Sequence, residues 1–291
     1  MIAWLDEFRM YLTDQGRSRN TVEAYCRDVG LYASWFKAAN VQEFEPGLLN
    51  APDLREYRSH SLGGERVSAA TWNRRRASLL VFTDWAQAHG WVAGDPMQGV
   101  GPMEAQALPP FWLPEDEFRK LRRQLEIEVN AARTEQQRSR AIRDRAMVAL
   151  MVYAGLRSGE VAALEIGDIT LAERSGEVRI RNGKGNKAGQ VPLGREAREA
   201  VRAWLEVHPG GAELFAATQR QMERRVHALG ARCGVDLWPH RLRHTFVRRL
   251  VFEKNQPLTT AQGLARHSRV TVTARYAQAS RGDMSMAVED L

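Results

Sequence analysis

Within the segment WPHRLRHTFVRRL, residues 238 to 250, two imidazoles and two guanidiniums fall within five positions: His240, Arg241, Arg243 and His244. A helix beginning near Pro239 stacks His240 and Arg243 on one face and sets His244 one turn above His240. His240 and His244 share the HxxxH spacing of a zinc-binding helix, yet position 241 is Arg where a zincin carries its glutamate base. Arg241, Arg243 and Arg248 would also oppose a divalent cation. An anion suits this set better than a metal.

Other segments offer partners for an anion, each with a plainer alternative. In AGLRSGE, Arg157 follows a strongly apolar run; it is either a surface arginine at a helix junction or a rigidly held fork for two phosphate oxygens. In NGKGNKAGQVPL, Lys184 lies between Gly183 and Gly185, as the exposed tip of a hairpin or as a mobile cation presented to a charged substrate. The order GxxxxGK[ST] of a Walker motif is absent there. GLARHSRVTVTARYAQAS contributes His267 and, nine residues on, Tyr276. A tyrosine there is either a packing residue or a nucleophile, and the second role requires cations to stabilise the phenolate.

The elements that must position these groups read as mainly α with a small β-sheet in the C-terminal part. Helical periodicity runs through WLDEFRMYLTDQG, stopping at Gly16, and through the stretch after Ser18 with Val22, Tyr25, Val29, Tyr32 and Phe36 on one stripe. A third helix is capped by Asn50, and a fourth spans about 68 to 89. GDPMQGVGPMEAQALPPFWLP has five prolines and three glycines, a linker composition. The expected organisation is a helical domain over 1–95, a linker over 96–112 and a second domain over 113–291. In that second domain AIRDRAMVALMVYAG reads as a buried central helix ending at Gly155. Strands follow around Val178 to Ile180 and Gln190 to Leu193, and then helices at 195–207, 218–232, 241–253, 258–266 and 271–278.

Composition bounds the partners. Lys+Arg 42 against Asp+Glu 35 gives a net charge of +7, which favours a polyanionic partner such as nucleic acid, with a basic but otherwise unspecialised enzyme as the alternative on charge alone. Hydrophobic content of 44% with 26% charged residues is that of a globular chain. Cys26 and Cys233 form no CxxC and are expected as free thiols in a reducing compartment. The N-terminal residues lack a basic leader pattern, and no apolar run reaches the roughly 20 residues of a membrane span, so a cytoplasmic protein is expected.

Taken in order, Arg157 in AGLRSGE, Lys184 in NGKGNKAGQVPL, His240 and Arg243 in HRLRHT, His267 in ARHS, and Tyr276 resemble the tyrosine recombinase (phage integrase) family, and specifically its compact Xer-like members without an arm-binding domain. RSRNTVEAYCRDVGLYASWF similarly resembles the opening of the family's core-binding domain. The resemblance implies a two-domain clamp on double-stranded DNA, a helical SAM-like domain plus a catalytic domain. It also implies site-specific recombination without a cofactor or metal, through a 3′-phosphotyrosyl intermediate and a Holliday junction. Tyr276 would be the nucleophile, His240 the base, Lys184 the acid, and Arg157, Arg243 and His267 donors to the non-bridging oxygens. Arg17, Arg19, Arg74 and Arg76 are candidate DNA contacts. The tail GDMSMAVEDL would dock on a neighbouring protomer in a homo- or hetero-tetramer on paired sites, with an accessory protein as a further partner. Type IB topoisomerase-like relaxation and an inactive DNA-binding relative are the alternatives.

Two departures from the family pattern accompany the match. Ala265 and Arg266 stand where Leu-Gly is common, and Val272 and Thr273 where Thr-Thr is common. Both are expected beside the site rather than in it. Within HRLRHT, His244 is expected to support the site by packing or hydrogen bonding, and Arg241, Arg248 and Arg249 to form a basic surface.

Overall fold

In a computed structural model of the chain, residues 3–104, 111–181, 188–267, 270–274 and 276 are described. The chain divides into two compact units, Met1–Ala107 and Leu108–Leu291.

The first unit is built from α1 (Ala3–Asp14), α2 (Arg19–Asn40), α3 (Ala51–Ser59) and α4 (Ala69–Ala88). Local chemistry sets their ends. Ser18, Asn50 and Ser68 accept the N–H groups of Thr21, Asp53 and Thr71 at 3.3, 3.0 and 3.2 Å. Gly16, at φ 68°, takes the left-handed turn after α1. The helices bury their stripes around Phe8, Tyr32, Tyr57, Trp72, Phe82 and Trp85, with Phe8 and Phe82 edge to face at 5.1 Å between centroids. Met97 and Val100, from the proline- and glycine-rich stretch, are buried in this core. Trp72 Nε1 donates to the Gly101 carbonyl at 3.2 Å, and Asn73 bonds Met103 through both amide groups at 2.8 Å. Composition alone hid this packing, because backbone partners are invisible in a residue count.

The arginine run of α4 is divided by its helical angles. Arg75 is buried, donating to Glu65 at 2.7 Å and to Ser61 at 3.2 Å. Arg74 pairs with the fully buried Asp28, which also accepts from Ser78 Oγ at 2.9 Å. Arg76 Nε donates to the Val100 carbonyl at 2.6 Å. Arg17 and Arg19 are exposed.

The second unit contains α5 (Glu115–Asn130), α6 (Glu135–Tyr153), α7 (Ser158–Ala162), α8 (Arg195–Glu206), α9 (Gln219–Cys233), α10 (Pro239–Arg248), α11 (Leu258–Ala265) and α12 (Val270–Ala274). Between α7 and α8 lie β1 (Ile169–Leu171), β2 (Gly176–Ile180) and β3 (Gly189–Pro192), an antiparallel sheet in the order β1-β2-β3. Val178 stands opposite Ile169 on one side and Val191 on the other. Helix α6 is buried almost all round from Ala146 to Val152, as its unbroken apolar run requires. Helix α5 and strand β1 were not expected from the sequence. The first is too charged on its outer face, and the second too short, to stand out. Among the described residues, no helix is long and apolar enough to cross a membrane.

The turn after α6 is the pivot of this unit. Gly155 has φ 65°, and a Cβ placed on it would lie 2.3 Å from the Phe246 ring of α10. Gly155→Ala is therefore expected to lower stability by about 2–5 kcal/mol, since it adds backbone strain to a clash with a buried ring. Urea denaturation reads this directly; a loss under about 1 kcal/mol would show that the turn and α10 can part.

Candidate active site

The turn that begins at Gly155 continues into Arg157, the residue capping α7. The carboxylate of Glu160, one turn on and only 4% exposed, holds it twice: Arg157 Nη1 donates to Oε1 at 2.7 Å and its backbone N–H to Oε2 at 2.8 Å. Arg157 Nη2 also donates to the Arg266 carbonyl at 3.5 Å, which ties α7 to the end of α11. Arg243, 1% exposed on α10, donates through Nη1 to the Gly155 carbonyl and through Nη2 to the Ala265 carbonyl. Its planar fork thus joins two chain segments, and its Nε is buried without a hydrogen-bond partner. Burial, then the charges of Arg157 and Arg266, lower the Arg243 pKa to about 9, so it stays a cation at neutral pH.

Two imidazoles, His244 and His267, lie against Tyr276, which is 3% exposed, and a third, His240, packs behind His244. His244 Nδ1 and the Tyr276 hydroxyl are hydrogen-bonded. His240 meets His244 edge to face at 4.4 Å between centroids, and His267 stacks against the Tyr276 ring at 6.2 Å. His267 Nδ1 bonds Thr273 Oγ1 at 2.9 Å. In the Nε2–H tautomer, that bond leaves Nε2–H as a donor for an oxyanion. Burial, then the neighbouring His240, lowers the His244 pKa to about 3. Burial, then Arg243, lowers that of His267 to about 4. Both rings are neutral at pH 7, and a neutral His244 with its proton on Nε2 can accept from the phenol.

These two histidines set a pH dependence. In the unfolded chain each titrates near 6.5, whereas in the fold they titrate near 3 and 4. Between those limits the unfolded chain binds more protons, so stability falls as pH drops below about 6.5 and their contribution is level above it. The protein alone is expected to melt at a lower temperature at pH 5 than at pH 7.5, with a shallower slope in His244→Gln. Equal slopes in the two proteins would contradict the burial of a neutral His244.

The structure brings Arg157, His240, Arg243, His267 and Tyr276 into one site of the second unit, whereas Lys184 and the tail GDMSMAVEDL lie outside the described residues. Arg181, just past β2, pairs with both Glu165 and Asp168. Four sequence-based expectations are corrected. Arg241 is 1% exposed; it bonds Glu117 at 2.6 Å and lies over the Phe111 ring at 4.2 Å. Arg248 is 7% exposed, lies over the Trp112 ring at 4.4 Å, and donates to the Tyr276 carbonyl at 3.2 Å. Neither belongs to a basic surface. Their partners in PPFWLP are over a hundred residues away, so α10 read alone could not reveal them; the adjacent aromatic pair was the available signal. Arg249 is half-buried over Phe118 and pairs with Glu253 at 2.7 Å. The departure at Arg266 lies in the site, through Glu160, and Thr273, which keeps the family's residue, reaches it through His267.

The phage integrase family matches residues 112–282, and the phage integrase N-terminal SAM-like domain matches residues 5–90. A tyrosine recombinase XerC of Mycobacterium sp. (strain JLS) is 31% identical, covering 95% of this chain and 94% of the relative. A tyrosine recombinase XerC of Mycobacterium tuberculosis (strain ATCC 25177 / H37Ra) is 33% identical with the same coverage. In fold, the chain is similar to the XerH site-specific recombinase solved with a palindromic difH substrate in a post-cleavage complex. That match has TM-score 0.71 and 20% identity, covering 92% of this chain and 78% of that one. With both units matched, and with a buried tyrosine set among arginines and histidines, the chain belongs to the phage integrase family, as a two-part tyrosine recombinase.

Proposed function

We propose that the chain carries out site-specific DNA recombination by the following division of labour. The observation that carries the reading is the Tyr276 hydroxyl, hydrogen-bonded to a neutral imidazole within a site that also holds Arg157 and Arg243. Such a phenol has an acceptor for its proton and cations for the charge it generates. Tyr276 Oη attacks the scissile phosphorus while the bond to the 5′ oxygen breaks. The phenolic proton passes first to His244, which accepts from the hydroxyl, with His240 as the base behind it, and Lys184 supplies a proton to the departing 5′ oxygen. Arg157, Arg243 and His267 donate to the non-bridging oxygens, where charge accumulates. The phosphodiester is preserved as a 3′-phosphotyrosyl ester, and attack by a 5′-hydroxyl from a second duplex reverses the step.

Strand exchange then needs two paired duplex sites and four active sites, so the working assembly is a homo- or hetero-tetramer on double-stranded DNA, acting in the cytoplasm on the nucleoid. The two units close on the duplex as a clamp that chiefly holds phosphates. Arg17, exposed just before α2, and Arg19, exposed at its start and paired with the exposed Glu23 at 2.9 Å, are more accessible for those contacts than Arg74 and Arg76, which serve the buried Asp28 and the Val100 carbonyl. A duplex nicked beside the cleavage point tests the chemistry: it should trap protein joined to a 3′ end and release a 5′-hydroxyl. Two-site substrates should then yield four-way junctions. Relaxed plasmid without junctions would favour the topoisomerase-like reading, and absence of any covalent adduct would overturn strand transfer.

A further inference from the structure

Arg266 occupies a position where an arginine is out of place on backbone grounds. It follows α11 at φ 51° and ψ 45°, the left-handed residue of a helix ending, with its N–H donating to the Gly263 carbonyl at 3.0 Å and that of His267 to Gln262 at 3.1 Å. Glycine serves such a position without strain, and asparagine with little. The side chain is 17% exposed, and its Nη2 pairs with Glu160 Oε2, on the carboxylate whose other oxygen holds Arg157. Its Nε and Nη1 are buried without hydrogen-bond partners, as is Nε of Arg243. Buried donors left unspent are costly, and in both arginines they lie among the residues proposed above to hold the phosphate.

Charge balance indicates what the arginine does. Arg157 and Arg243, reduced by Glu160, would leave a single positive charge facing the phosphate. A phosphodiester carries one negative charge, and a second develops as the phosphorus becomes five-coordinate. After burial and Arg157, Arg266 is the next charge that presses on Arg243, so its field reaches the site.

We propose that Arg266 is a positioning residue of the phosphate pocket: it neutralises Glu160, so that Arg157 and Arg243 present two uncompensated positive charges to the scissile phosphate. This rests on the recombinase reading above. The fold accepts a strained helix end in return for that second charge. Glu160 can then hold Arg157 in place without cancelling it.

The test uses the full chain on a nicked duplex that traps the covalent complex. Arg266→Gly should cleave roughly 10- to 100-fold more slowly, with a melting temperature equal to or above the wild type because the left-handed strain is gone. Arg266→Asn should behave alike. Adding Glu160→Gln to Arg266→Gly removes the charge while keeping one of the two acceptors for Arg157, and should restore part of the lost rate. A duplex with a neutral methylphosphonate at the scissile position should be cleaved by Arg266→Gly within about threefold of the wild type, because less charge needs compensation. Wild-type rates in both variants overturn the proposal. So does a deficit that is equal on both substrates and is not restored by Glu160→Gln, the pattern of a merely structural role. If the wild type itself forms no adduct, the recombinase reading fails, and the inference fails with it.

Discussion

Tyr276→Phe is expected to form no covalent complex with a nicked duplex, a loss of at least roughly 10⁵-fold, as for removal of a nucleophile in other covalent enzymes. Only the phenolic oxygen is removed, and the ring contacts with His244 and His267 persist. Stability should therefore fall by no more than about 1 kcal/mol, the value of one hydrogen bond to a neutral imidazole. DNA affinity should remain within about threefold of the wild type, because the proposed clamp binds chiefly through phosphate contacts made by other residues. Denaturing gels for the adduct and gel-shift titrations for affinity separate these effects. A surviving adduct would move the nucleophile to another residue, and lost affinity would mean that Tyr276 holds the fold of the DNA-binding face rather than the chemistry.

Arg243→Ala combines a catalytic loss with a structural one. Cleavage should fall by roughly 10³-fold or more when a buried phosphate donor is removed. The Gly155 and Ala265 carbonyls also lose their shared donor, so stability should fall by about 2–4 kcal/mol. Arg243→Lys is informative because a lysine keeps the charge yet cannot span two carbonyls with one planar group. It should recover part of the stability and little of the rate. Single-turnover cleavage together with urea denaturation measures both quantities. A lysine variant with near wild-type turnover would show that charge alone suffices at this position.

Much of the site is legible before any coordinates. Arg157, His240, Arg243, His267 and Tyr276 are candidates by residue type, each with a plainer alternative, and it is their order, through its resemblance to the family, that selects them together. The amphipathic stripes of α1 and α2 and the apolar length of α6 follow from helical periodicity, which depends on neighbours three and four residues away. What α10 does with its other arginines is not local. Arg241 and Arg248 are seven residues apart and so share a face, but whether that face meets water or Phe111 and Trp112 depends on packing across the unit. His244 illustrates the same limit: its position suggests a supporting role by packing or hydrogen bonding, but that its partner is the Tyr276 hydroxyl depends on the fold.

The sequence by itself determined the kinds of chemistry available: a phenol, imidazoles and guanidiniums on mainly helical elements, in a basic chain suited to a polyanion. These depend on residue type and short-range periodicity, which a linear string contains in full. Only the tertiary structure decided which charges are spent and which remain. Glu160 stands against Arg157 and Arg266, Arg243 ties Gly155 to Ala265, and Arg248 holds the carbonyl of Tyr276. Such partners lie up to a hundred residues apart or more, and the energy of a buried ion depends on what surrounds it in space rather than on what precedes it in the chain.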